Sequence, residues 1–361
     1  MLTKFWVKQF RNLQEIVVNI KKFNLIFGEN NQGKTSVLEA IYFLSHAKSP
    51  LTHQIKDMVN HDKEEAFLGI EFTHQEQSKK IICRLNKNNK KFFQLEDKPF
   101  YKYSHFSHYF NIRYMSADTI QTFTQNPQNR RQAIDEWVGI DDVLFQENTR
   151  KYLQVLANRN QLIKEKRRFD EFKIWNQHLV ELSDYIVQKR IDSLVSLKER
   201  IQFFLTEMDI EWAHEFDISY DLFSLDSNFS YKDHLLDKLK NGYVKELSVG
   251  FSLYGAHKDD VILTIRNQLI SKFYSRGINR IIALLFELAL SLKIKQYFQV
   301  YPVLLCDDAF VELSQSLKEK VINSFQRYAQ IIYATVLDSD QKLPYLSQRL
   351  DVKNGKMTCI I

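Results

Sequence analysis

The stretch GENNQGKT, at residues 28–35, constrains the fold of this chain more than any other short segment. Its order of glycine, four residues, glycine, lysine and threonine is the phosphate-loop pattern. The apolar run FNLIF, Phe23–Phe27, precedes it and is typical of a buried strand in a parallel sheet. Val37, Ile41 and Leu44 follow at helical spacing. The order strand, glycine loop, helix therefore predicts a phosphate-binding site in an α/β fold.

The residue types in this segment indicate what it can bind. Glycines let successive backbone N–H groups turn toward phosphate oxygens, and the following helix adds the positive end of its dipole. We expect Lys34 to reach the terminal phosphates and the Thr35 hydroxyl to ligate Mg²⁺. The alternative is a chance glycine turn between a strand and a helix. The predicted nucleotide-binding residues of this segment are Gly28, Glu29, Asn30, Asn31, Gln32, Gly33, Lys34 and Thr35.

The composition argues against several other classes of protein. With 361 residues, 44% of them apolar, the chain can bury a large core, and its size predicts about two or three domains. Cys83, Cys306 and Cys359 are isolated, so they predict neither a disulfide framework nor a paired metal motif. The first residues lack the apolar core of a signal peptide, and IIALLFELALSL at 281–292 is too short for a membrane span. We therefore expect a cytoplasmic protein without a membrane partner.

Hydrophobic patterning divides the chain into three predicted parts. Residues 1–115 contain strand-like runs around the phosphate loop, and residues 116–240 contain long charged stretches with leucine and isoleucine at helical spacing. Strand character returns in residues 241–361, in the runs GFSLYG, DDVILTI, VYPVLLCDD and QIIYATVL. The pattern predicts one α/β nucleotide domain, split around an inserted helical lobe. Irregular spacing in that lobe favours packed helices over a long coiled coil.

A second segment supplies the acids that a phosphate loop requires. Val303–Cys306 is typical of a buried strand, and Asp307 and Asp308 follow it directly. We expect Asp307 to anchor the Mg²⁺ shell and Asp308 to orient or activate the attacking water, so that both act with Lys34 in catalysis. The alternative is a helix N-cap after a strand, a position that aspartate favours.

ATP is the predicted nucleotide. No D-x-x-G occurs in the sequence, and the nearest approach to a guanine-reading N-K-x-D is NKNN at Asn86, which lacks the carboxylate. Phosphate loops also serve enzymes that phosphorylate small acceptors. From the residues alone, a small-molecule kinase therefore stays open as an alternative.

Six segments, in order along the chain, together resemble the RecF family of DNA repair proteins. They are FRNLQEI at Phe10, GENNQGKTSVLEAIYFLS at Gly28, QNRRQAIDEW at Gln128, GAHKDD at Gly255, FYSRGINRIIALLFELAL at Phe273 and LLCDDAFVEL at Leu304. The resemblance implies a split ABC-type P-loop ATPase head, similar to the heads of SMC proteins without their long coiled coil. The irregular helical middle agrees with that expectation.

The resemblance also implies further site residues. Ser275, Arg276 and Gly277 resemble the signature motif that touches the nucleotide held by a partner subunit, so that ATP joins a homodimer. Arg11 and Asn12 resemble the F-R-N motif, which implies that they approach the nucleotide. The residues alone favour the alternative that Ser275 is an ordinary helix cap.

By the same resemblance the partners are DNA, as duplex, gapped duplex or single-strand junctions, together with RecR, RecO and, indirectly, RecA. The implied function is an ATP-driven homodimer that clamps duplex DNA near single-stranded gaps in recombinational repair and replication-fork maintenance. Three basic clusters could grip phosphates, although solvated faces more often explain such clusters. They are Lys79, Lys80, Arg84, Lys87, Lys90 and Lys91 in one hairpin, Arg130 with Arg131, and KEKRR at Lys164.

Several positions depart from the family's pattern. Asn31 replaces a usual glycine of the loop, and asparagine tolerates a left-handed backbone. Ile278 stands where the signature commonly has glutamine, and Val311 and Ser314 alter the segment after the acids. No histidine follows His257, so the switch histidine of ABC-type ATPases is absent. The departures predict weak DNA-stimulated hydrolysis, or a nucleotide-binding DNA-structural module that has lost efficient turnover.

Overall fold

The computed structural model describes residues 1–96, 98–100, 111–222 and 230–360. Its strands are β1 Leu2–Phe10, β2 Leu13–Asn19, β3 Phe23–Phe27, β4 Glu65–His74, β5 Gln77–Asn86, β6 Lys91–Leu95, β7 Lys98–Phe100, β8 Ile112–Ser116, β9 Phe216–Asp221, β10 Asp260–Ile265, β11 Gln268–Leu269, β12 Val303–Asp307, β13 Gln330–Thr335, β14 Gln348–Lys353 and β15 Lys356–Cys359. Its α-helices are α1 Lys34–His46, α2 Ala117–Phe123, α3 Pro127–Gly139, α4 Val143–Lys164, α5 Lys173–Glu207, α6 Tyr231–Asn241, α7 Tyr243–Val249, α8 Ile270–Phe273, α9 Arg276–Phe298 and α10 Gln315–Tyr328. Among the helices of these described ranges, none has the length and apolar character needed to cross a membrane.

The chain divides into two compact units, which are described separately. The first consists of Met1–Ile120 and Ser291–Ile361, and the second of Gln121–Leu290. The first boundary lies close to the predicted one at 115. The second differs, because residues 241–290, assigned from the sequence to the C-terminal part of the head, group with the helical unit. The physical reason is strand pairing, since β10 forms an antiparallel ladder with β9 of the helical insertion.

In the first unit, α1 packs between two sheets. One sheet is antiparallel with the strand order β2-β1-β4-β5-β6-β7, and the other has the order β15-β14-β3-β13-β12-β8. Ten of the thirteen residues of α1 are buried, because strands of both sheets cover it. Phe5 and Leu68 of the first sheet and Leu305 and Ile332 of the second join α1 in one hydrophobic core. This layered arrangement confirms the predicted α/β class.

The second of these sheets brings distant parts of the chain to one edge. β14, β3, β13, β12 and β8 run parallel, and β15 is antiparallel to β14. The register pairs Phe27 with Thr335 and Ala334 with Asp307. The carboxyl ends of β3 and β12 therefore flank the end of β13. The phosphate loop and the acids meet there, although they lie near opposite ends of the chain.

The second unit is built around a helix pair. α4 and α5 are joined by a short connection and pack against each other. Most of the apolar residues of α5 that recur at helical spacing are buried, namely Leu179, Ile186, Leu194, Leu197 and Ile201, whereas Leu182 and Ile191 are half-buried. β9, β10 and β11 form a small antiparallel sheet, and α5 packs against β9. The middle of the chain therefore consists of packed helices, as the irregular spacing predicts.

One predicted strand is wrong. The run GFSLYG, residues 250–255, forms turns rather than a strand. Gly250 ends α7 in a left-handed conformation with φ +87°, which an extended strand does not allow. The Ser252 N–H donates to the Asn160 side chain at 2.8 Å. A side chain from a helix thus takes a backbone hydrogen bond that a sheet ladder would otherwise make.

Candidate functional site

The loop between β3 and α1 has the backbone of a phosphate cradle. Gly33, at the start of α1, adopts φ +115°, and a Cβ there would lie 2.6 Å from Leu13. A Cβ on Gly28 would lie 2.4 Å from the carbonyl oxygen of Val352. Asn31 takes a left-handed φ of +62°, which asparagine tolerates. The loop therefore needs glycine at 33 for a turn and at 28 for a close approach of two backbones.

Lys34 lies in the first turn of α1 and is turned back over the loop. Its Nζ donates to the carbonyl oxygens of Gly28 and Glu29, both at 2.8 Å, and the residue is 6% exposed. Burial lowers the pKa of Lys34, while the charges of Asp308 and Asp307 act to raise it. The ammonium group is therefore held within the cradle by neutral carbonyl oxygens, with two acids near it.

Asp307 and Asp308 stand at the carboxyl end of β12. Tyr114 of β8 donates its hydroxyl hydrogen to Asp307 Oδ2 at 2.9 Å. Asp308 leaves the strand with a left-handed φ of +50°, and its N–H donates to the Ala334 carbonyl at 3.0 Å. Burial and the charge of Asp307 raise the pKa of Asp308, against the opposing charge of Lys34. Among the described residues, none donates to the buried Asp308 Oδ1, so one carboxylate is held and the other keeps an oxygen available.

The turn between β1 and β2 braces both the loop and α1. Asn12 Nδ2 donates to the Asn31 carbonyl at 3.0 Å, and Asn12 Oδ1 accepts from the Ser36 hydroxyl at 2.9 Å. Arg11 forms a bidentate ion pair with Glu39 of α1, which is fully buried. Asn12 therefore anchors the turn to the phosphate loop, and Arg11 anchors it to the helix. Glu39 is part of the site that no sequence pattern indicated.

The turn between β14 and β15 also supports the loop, and local sequence patterns did not reveal this contact. The Asn354 N–H donates to Gln32 Oε1 at 2.6 Å, and the Gly355 N–H donates to the Gln32 carbonyl at 3.3 Å. The Gly355 carbonyl accepts from the Gln14 N–H at 3.0 Å. Gly355 adopts φ +71°, and a Cβ there would lie 2.1 Å from the Asn12 carbonyl oxygen. Asparagine before glycine signals a turn, but it does not signal what the turn touches.

These segments enclose a cavity of about 530 Å³, a volume in the range of small-ligand sites. It is lined by Arg11, Asn12, Asn30, Asn31, Gly33, Lys34, Thr35, Ser36, Asp307 and Asp308. The predicted lysine, threonine and two acids therefore share one cavity. Gly28 and Glu29 take part through the carbonyl oxygens that hold the lysine, and Gln32 takes part through the β14–β15 turn.

Thr35 and Asp307, the two residues predicted to hold a divalent cation, both line the cavity. In the part of the chain that the structure describes, no three histidine, cysteine, aspartate or glutamate side chains are grouped to hold a metal ion by themselves. One hydroxyl and one carboxylate suit a Mg²⁺ ion that keeps waters and takes further ligands from phosphates. The donor set therefore fits Mg²⁺ bound together with a nucleotide.

Ser275, Arg276 and Gly277 belong to the second unit, and they are not among the residues that line the cavity. The Ser275 hydroxyl accepts the Ile278 N–H at 3.4 Å and so caps the start of α9. Both Ser275 and Arg276 are exposed. Of the described atoms, only Ser275 Oγ would lie within 4 Å of a Cβ on Gly277, at 3.8 Å. The three residues predicted as the signature motif therefore lie at the exposed N-terminal end of α9.

One of the basic clusters considered as a phosphate grip or a solvated face is engaged within the second unit. Arg130 is 8% exposed and makes three N–H···O contacts of 2.7 to 3.1 Å with the Asp260 carboxylate. Arg131 donates to the Asp259 carbonyl at 2.6 Å. The interpretation of this arginine pair as a phosphate grip is therefore corrected. The segments QNRRQAIDEW and GAHKDD meet here and hold the unit together.

The family assignment rests on matches along almost the whole chain. Residues 1–342 match the family model of the RecF/RecN/SMC N-terminal domain. The chain belongs to the RecF/RecN/SMC family. It is 28% identical over 356 residues to the DNA replication and repair protein RecF of Clostridium botulinum (strain Alaska E43 / Type E3), covering 96% of this chain and 97% of that relative. It is 26% identical over 362 residues to the RecF protein of Clostridium acetobutylicum, covering 99% of each. These end-to-end matches make it a RecF-type member.

Solved structures share this RecF-type head fold. The recombination mediator protein RecF, solved with ATPrS in the RecFOR pathway, matches with a TM-score of 0.82 at 23% identity, over 100% of this chain and 98% of that one. An SMC head bound to the C-winged helix domain of ScpA matches with a TM-score of 0.61 at 14% identity, over 99% and 97%. The predicted ABC-type head is therefore confirmed. The family match ends before the β14–β15 turn that braces the phosphate loop.

Proposed function

We propose that this RecF-type chain binds ATP with Mg²⁺ in the cavity at the carboxyl edge of the parallel sheet. The observation that carries the proposal is the convergence of Lys34 with Asp307 and Asp308, from opposite ends of the chain, on one cavity. Adenine is favoured over guanine because the sequence lacks guanine-reading motifs. Solved RecF relatives described with ATP and with ATPrS support the same nucleotide class.

Each proposed role is supported by contacts. The Lys34 ammonium exchanges loop carbonyls for the oxygens of the terminal phosphates. Thr35 and Asp307 would hold Mg²⁺, which would supply charge to neutralise the transferring phosphate. Asp308 orients the attacking water and accepts its proton, since its pKa is raised and its buried Oδ1 has no donor among the described residues.

The second part of the proposal is a homodimer joined by ATP. Ser275 is exposed at the start of α9, and Gly277 leaves open space beside it. α9 is 23 residues long, and the N-terminus of such a helix favours an anionic ligand. The nucleotide held by one subunit would meet this helix start of the other subunit. ATP would then close the dimer, and hydrolysis would reopen it.

We propose further that this cycle acts on DNA in recombinational repair and replication-fork maintenance. Family membership supports this role, as do relatives named DNA replication and repair proteins and a solved relative of the RecFOR pathway. The closed dimer would clamp duplex DNA beside single-stranded gaps. RecR and RecO would act with it to help load RecA, and the protein would act in the cytoplasm.

Slow turnover is part of the proposal. Ser314, where the family pattern has an acid, caps α10 by accepting the Leu317 N–H at 3.4 Å. A capping serine supplies no carboxylate to a partner's site, and Ile278 supplies no hydrogen-bonding side chain to the signature. These residues favour a weak DNA-stimulated ATPase. At the limit, they favour a DNA-structural module that binds nucleotide without efficient turnover.

Lys34→Ala tests the nucleotide site. The variant should lose ATP binding and ATP-dependent dimerisation, because the terminal phosphates lose the cation in the cradle. Calorimetry measures the binding, and sedimentation with and without ATP measures the dimer. Lys48→Ala, which removes an exposed lysine just after α1, should match the wild type in both. Unchanged ATP affinity in Lys34→Ala rejects the site, and equal wild-type dimer populations with and without ATP reject the dimer.

Asp308→Asn tests the assignment of the two acids. The variant should bind ATP and accumulate the closed dimer, because the amide cannot accept the proton of the attacking water. ATP turnover and sedimentation in the presence of ATP measure the two effects. Turnover at the wild-type rate would assign the proton acceptor to another group.

A further inference from the structure

The parallel sheet of the first unit has a second edge, where aromatic and basic side chains gather. Lys22 directly precedes β3, Tyr301 shortly precedes β12, and Tyr328 shortly precedes β13. Parallel strands begin at one edge of a sheet and end at the other, so these residues lie at the amino edge. β3 is five residues long, which separates this edge from the phosphate loop by about 16 Å.

Two lysines converge on one ring at this edge. Lys22 Nζ lies 3.6 Å from the centroid of Tyr301, and Lys295 Nζ lies 4.4 Å from the same centroid. The Tyr328 centroid lies 5.6 Å from Lys295 Nζ and 5.7 Å from the Arg327 guanidinium. No carboxylate among the described residues pairs with Lys22 or Lys295, and burial together with Lys295 lowers the pKa of Lys22 to about 8. The chain therefore holds like charges together at this edge.

The end of α9 adds exposed apolar surface beside these cations. Tyr297 is 51% exposed and Phe298 is 41% exposed. Their rings meet edge to face, with centroids 4.9 Å apart. Exposed aromatic residues grouped in this way are typical of protein interfaces. The amino-edge patch is defined as Lys22, Lys295, Tyr297, Phe298, Tyr301 and Arg327.

We propose that the amino-edge patch is a docking site for an acidic segment of a partner protein that also carries an apolar side chain. Carboxylates of that segment would relieve the repulsion between Lys22 and Lys295. Its apolar side chain would cover Tyr297 and Phe298. Tyrosine and arginine are the residues that most often dominate binding energy at such interfaces. The site lies at the opposite sheet edge from the nucleotide cavity, so within this unit both can be occupied together.

Nucleic acid fits the amino-edge patch less well. Duplex DNA requires cations spread along a line of phosphates, whereas these cations converge on two rings. Single strands bind by stacking bases on open aromatic faces. Here Lys22, Lys295 and Arg327 lie over the rings of Tyr301 and Tyr328. The protein's own cations therefore compete with a base for the faces of Tyr301 and Tyr328.

The test measures binding of a fluorescent glutamate–tyrosine copolymer to the full chain by anisotropy. Polyglutamate, a single-stranded oligonucleotide and a duplex oligonucleotide are the other arms. We expect the copolymer to bind more tightly than polyglutamate, and Lys22→Gln with Lys295→Gln to weaken it about tenfold or more. Tyr297→Ser with Phe298→Ser should abolish the preference for the copolymer while leaving polyglutamate binding unchanged.

Matched controls separate docking from folding and from overall charge. Lys342→Gln with Lys353→Gln removes the same charge from exposed residues of the same unit and should leave affinity within about twofold. Loss of Lys22 and Lys295 removes repulsion together with their contacts to Tyr301, so the melting temperature should change little. Three results overturn the proposal: no copolymer binding by the wild type, equal binding by the double lysine variant, or oligonucleotide binding that depends on the same lysines and displaces the copolymer. If the double lysine variant has a lowered melting temperature, the double serine variant tests the proposal instead. The deciding measurement is then whether that variant still binds the copolymer more tightly than polyglutamate.

Discussion

Two sets of buried charges, one in each unit, serve opposite purposes. In the second unit, Arg159 and Glu246 are fully buried and joined by two contacts of 2.5 and 3.1 Å, and Arg159 also donates to the Ser252 hydroxyl at 2.7 Å. In the first unit, Lys34 donates to carbonyl oxygens, and Asp308 keeps a buried oxygen that no described residue donates to. A completed network holds a fold, whereas an incomplete one beside a cavity is prepared for a ligand.

Arg190 repeats the pattern of the second unit. It is 5% exposed, pairs with Asp135 at 2.7 and 2.8 Å, and donates to the Ala256 carbonyl at 2.7 Å and to the Tyr220 hydroxyl at 3.0 Å. Asp135 belongs to QNRRQAIDEW and Ala256 to GAHKDD, two of the segments that resemble the family. The segments that resemble the family therefore have two physical roles. Some line the cavity, and others complete a buried network of ion pairs.

Arg159→Met should produce the largest effect, a loss of about 3–5 kcal/mol in the free energy of unfolding. The change leaves the Glu246 carboxylate buried without its cation. Urea denaturation of the second unit's transition measures it. Arg159→Met combined with Glu246→Leu should recover most of the loss, because no charge is then stranded.

Arg266→Met is the matched control for that prediction. Arg266 pairs with Glu215, but their side chains are 57% and 40% exposed. Solvent screens such a pair, so its loss should lower the free energy of unfolding far less than the loss of Arg159 does. Equal losses for the Arg159 and Arg266 variants would show that burial does not distinguish the two networks.

Gly355→Ala should come next, with a loss of about 2 kcal/mol in stability and of about tenfold in ATP affinity. The new methyl group would meet the Asn12 carbonyl at a backbone φ of +71°, and the phosphate loop would lose its brace. Gly250→Ala is the control, since its φ is +87° but no described atom lies within 4 Å of a Cβ there. Gly250→Ala should lower stability only through the strain of a left-handed backbone, and it should leave ATP affinity unchanged. A similar drop in ATP affinity for both variants would refute the brace.

His257 extends the comparison to pH. Its Nε2 donates to the Ser252 carbonyl at 3.1 Å and its Nδ1 accepts from the Tyr152 hydroxyl at 2.6 Å, the arrangement of a neutral ring. Burial lowers the pKa of His257 to about 4. A depressed pKa contributes stability above about pH 6.5 that is lost as pH falls toward 4. Between pH 7 and 4.5, the free energy of unfolding of His257→Gln should therefore fall by about 2 kcal/mol less than that of the wild type. Denaturation at several pH values across that range measures the difference.

Asp259 provides the control of opposite sign. Burial raises its pKa to about 6, so the folded chain keeps a proton that the unfolded chain releases above about pH 4. That stability is present below about pH 4 and is lost as pH rises through 6. On acidification, the free energy of unfolding of Asp259→Asn should therefore fall more than that of the wild type, whereas that of His257→Gln should fall less. If both variants changed the pH dependence of stability in the same direction, the assigned protonation of one of these groups would be contradicted.

Lys90→Ala should have the smallest effect on stability. In the free protein, an exposed charge neither completes a buried network nor lines the cavity. Lys90 is exposed, whereas Lys91 donates to the Ala47 carbonyl at 2.5 Å. If the β5–β6 hairpin contacts DNA, the variant should lower the salt slope of DNA binding by about one without changing the free energy of unfolding. A slope equal to that of the wild type removes Lys90 from the DNA path.

The two segments that form the candidate nucleotide site were predictable because their signals are local. A strand, a glycine loop and a helix follow one another in the chain, and a second strand ends in two acids. Local signals also explain the errors. The run 250–255 has the composition of a strand, but Asn160 takes the backbone hydrogen bond of Ser252. Arg130 resembles a surface cation until the fold buries it against Asp260.

The sequence by itself determined the α/β class, the phosphate loop and the pair of acids, because these depend on residue type and spacing over a few positions. Only the tertiary structure decided that Asp307 meets Lys34, that Gly355 braces the loop, and that Arg159 lies buried beside Glu246. Burial and hydrogen bonding depend on which distant segments become neighbours. No period or motif along the chain encodes that neighbourhood.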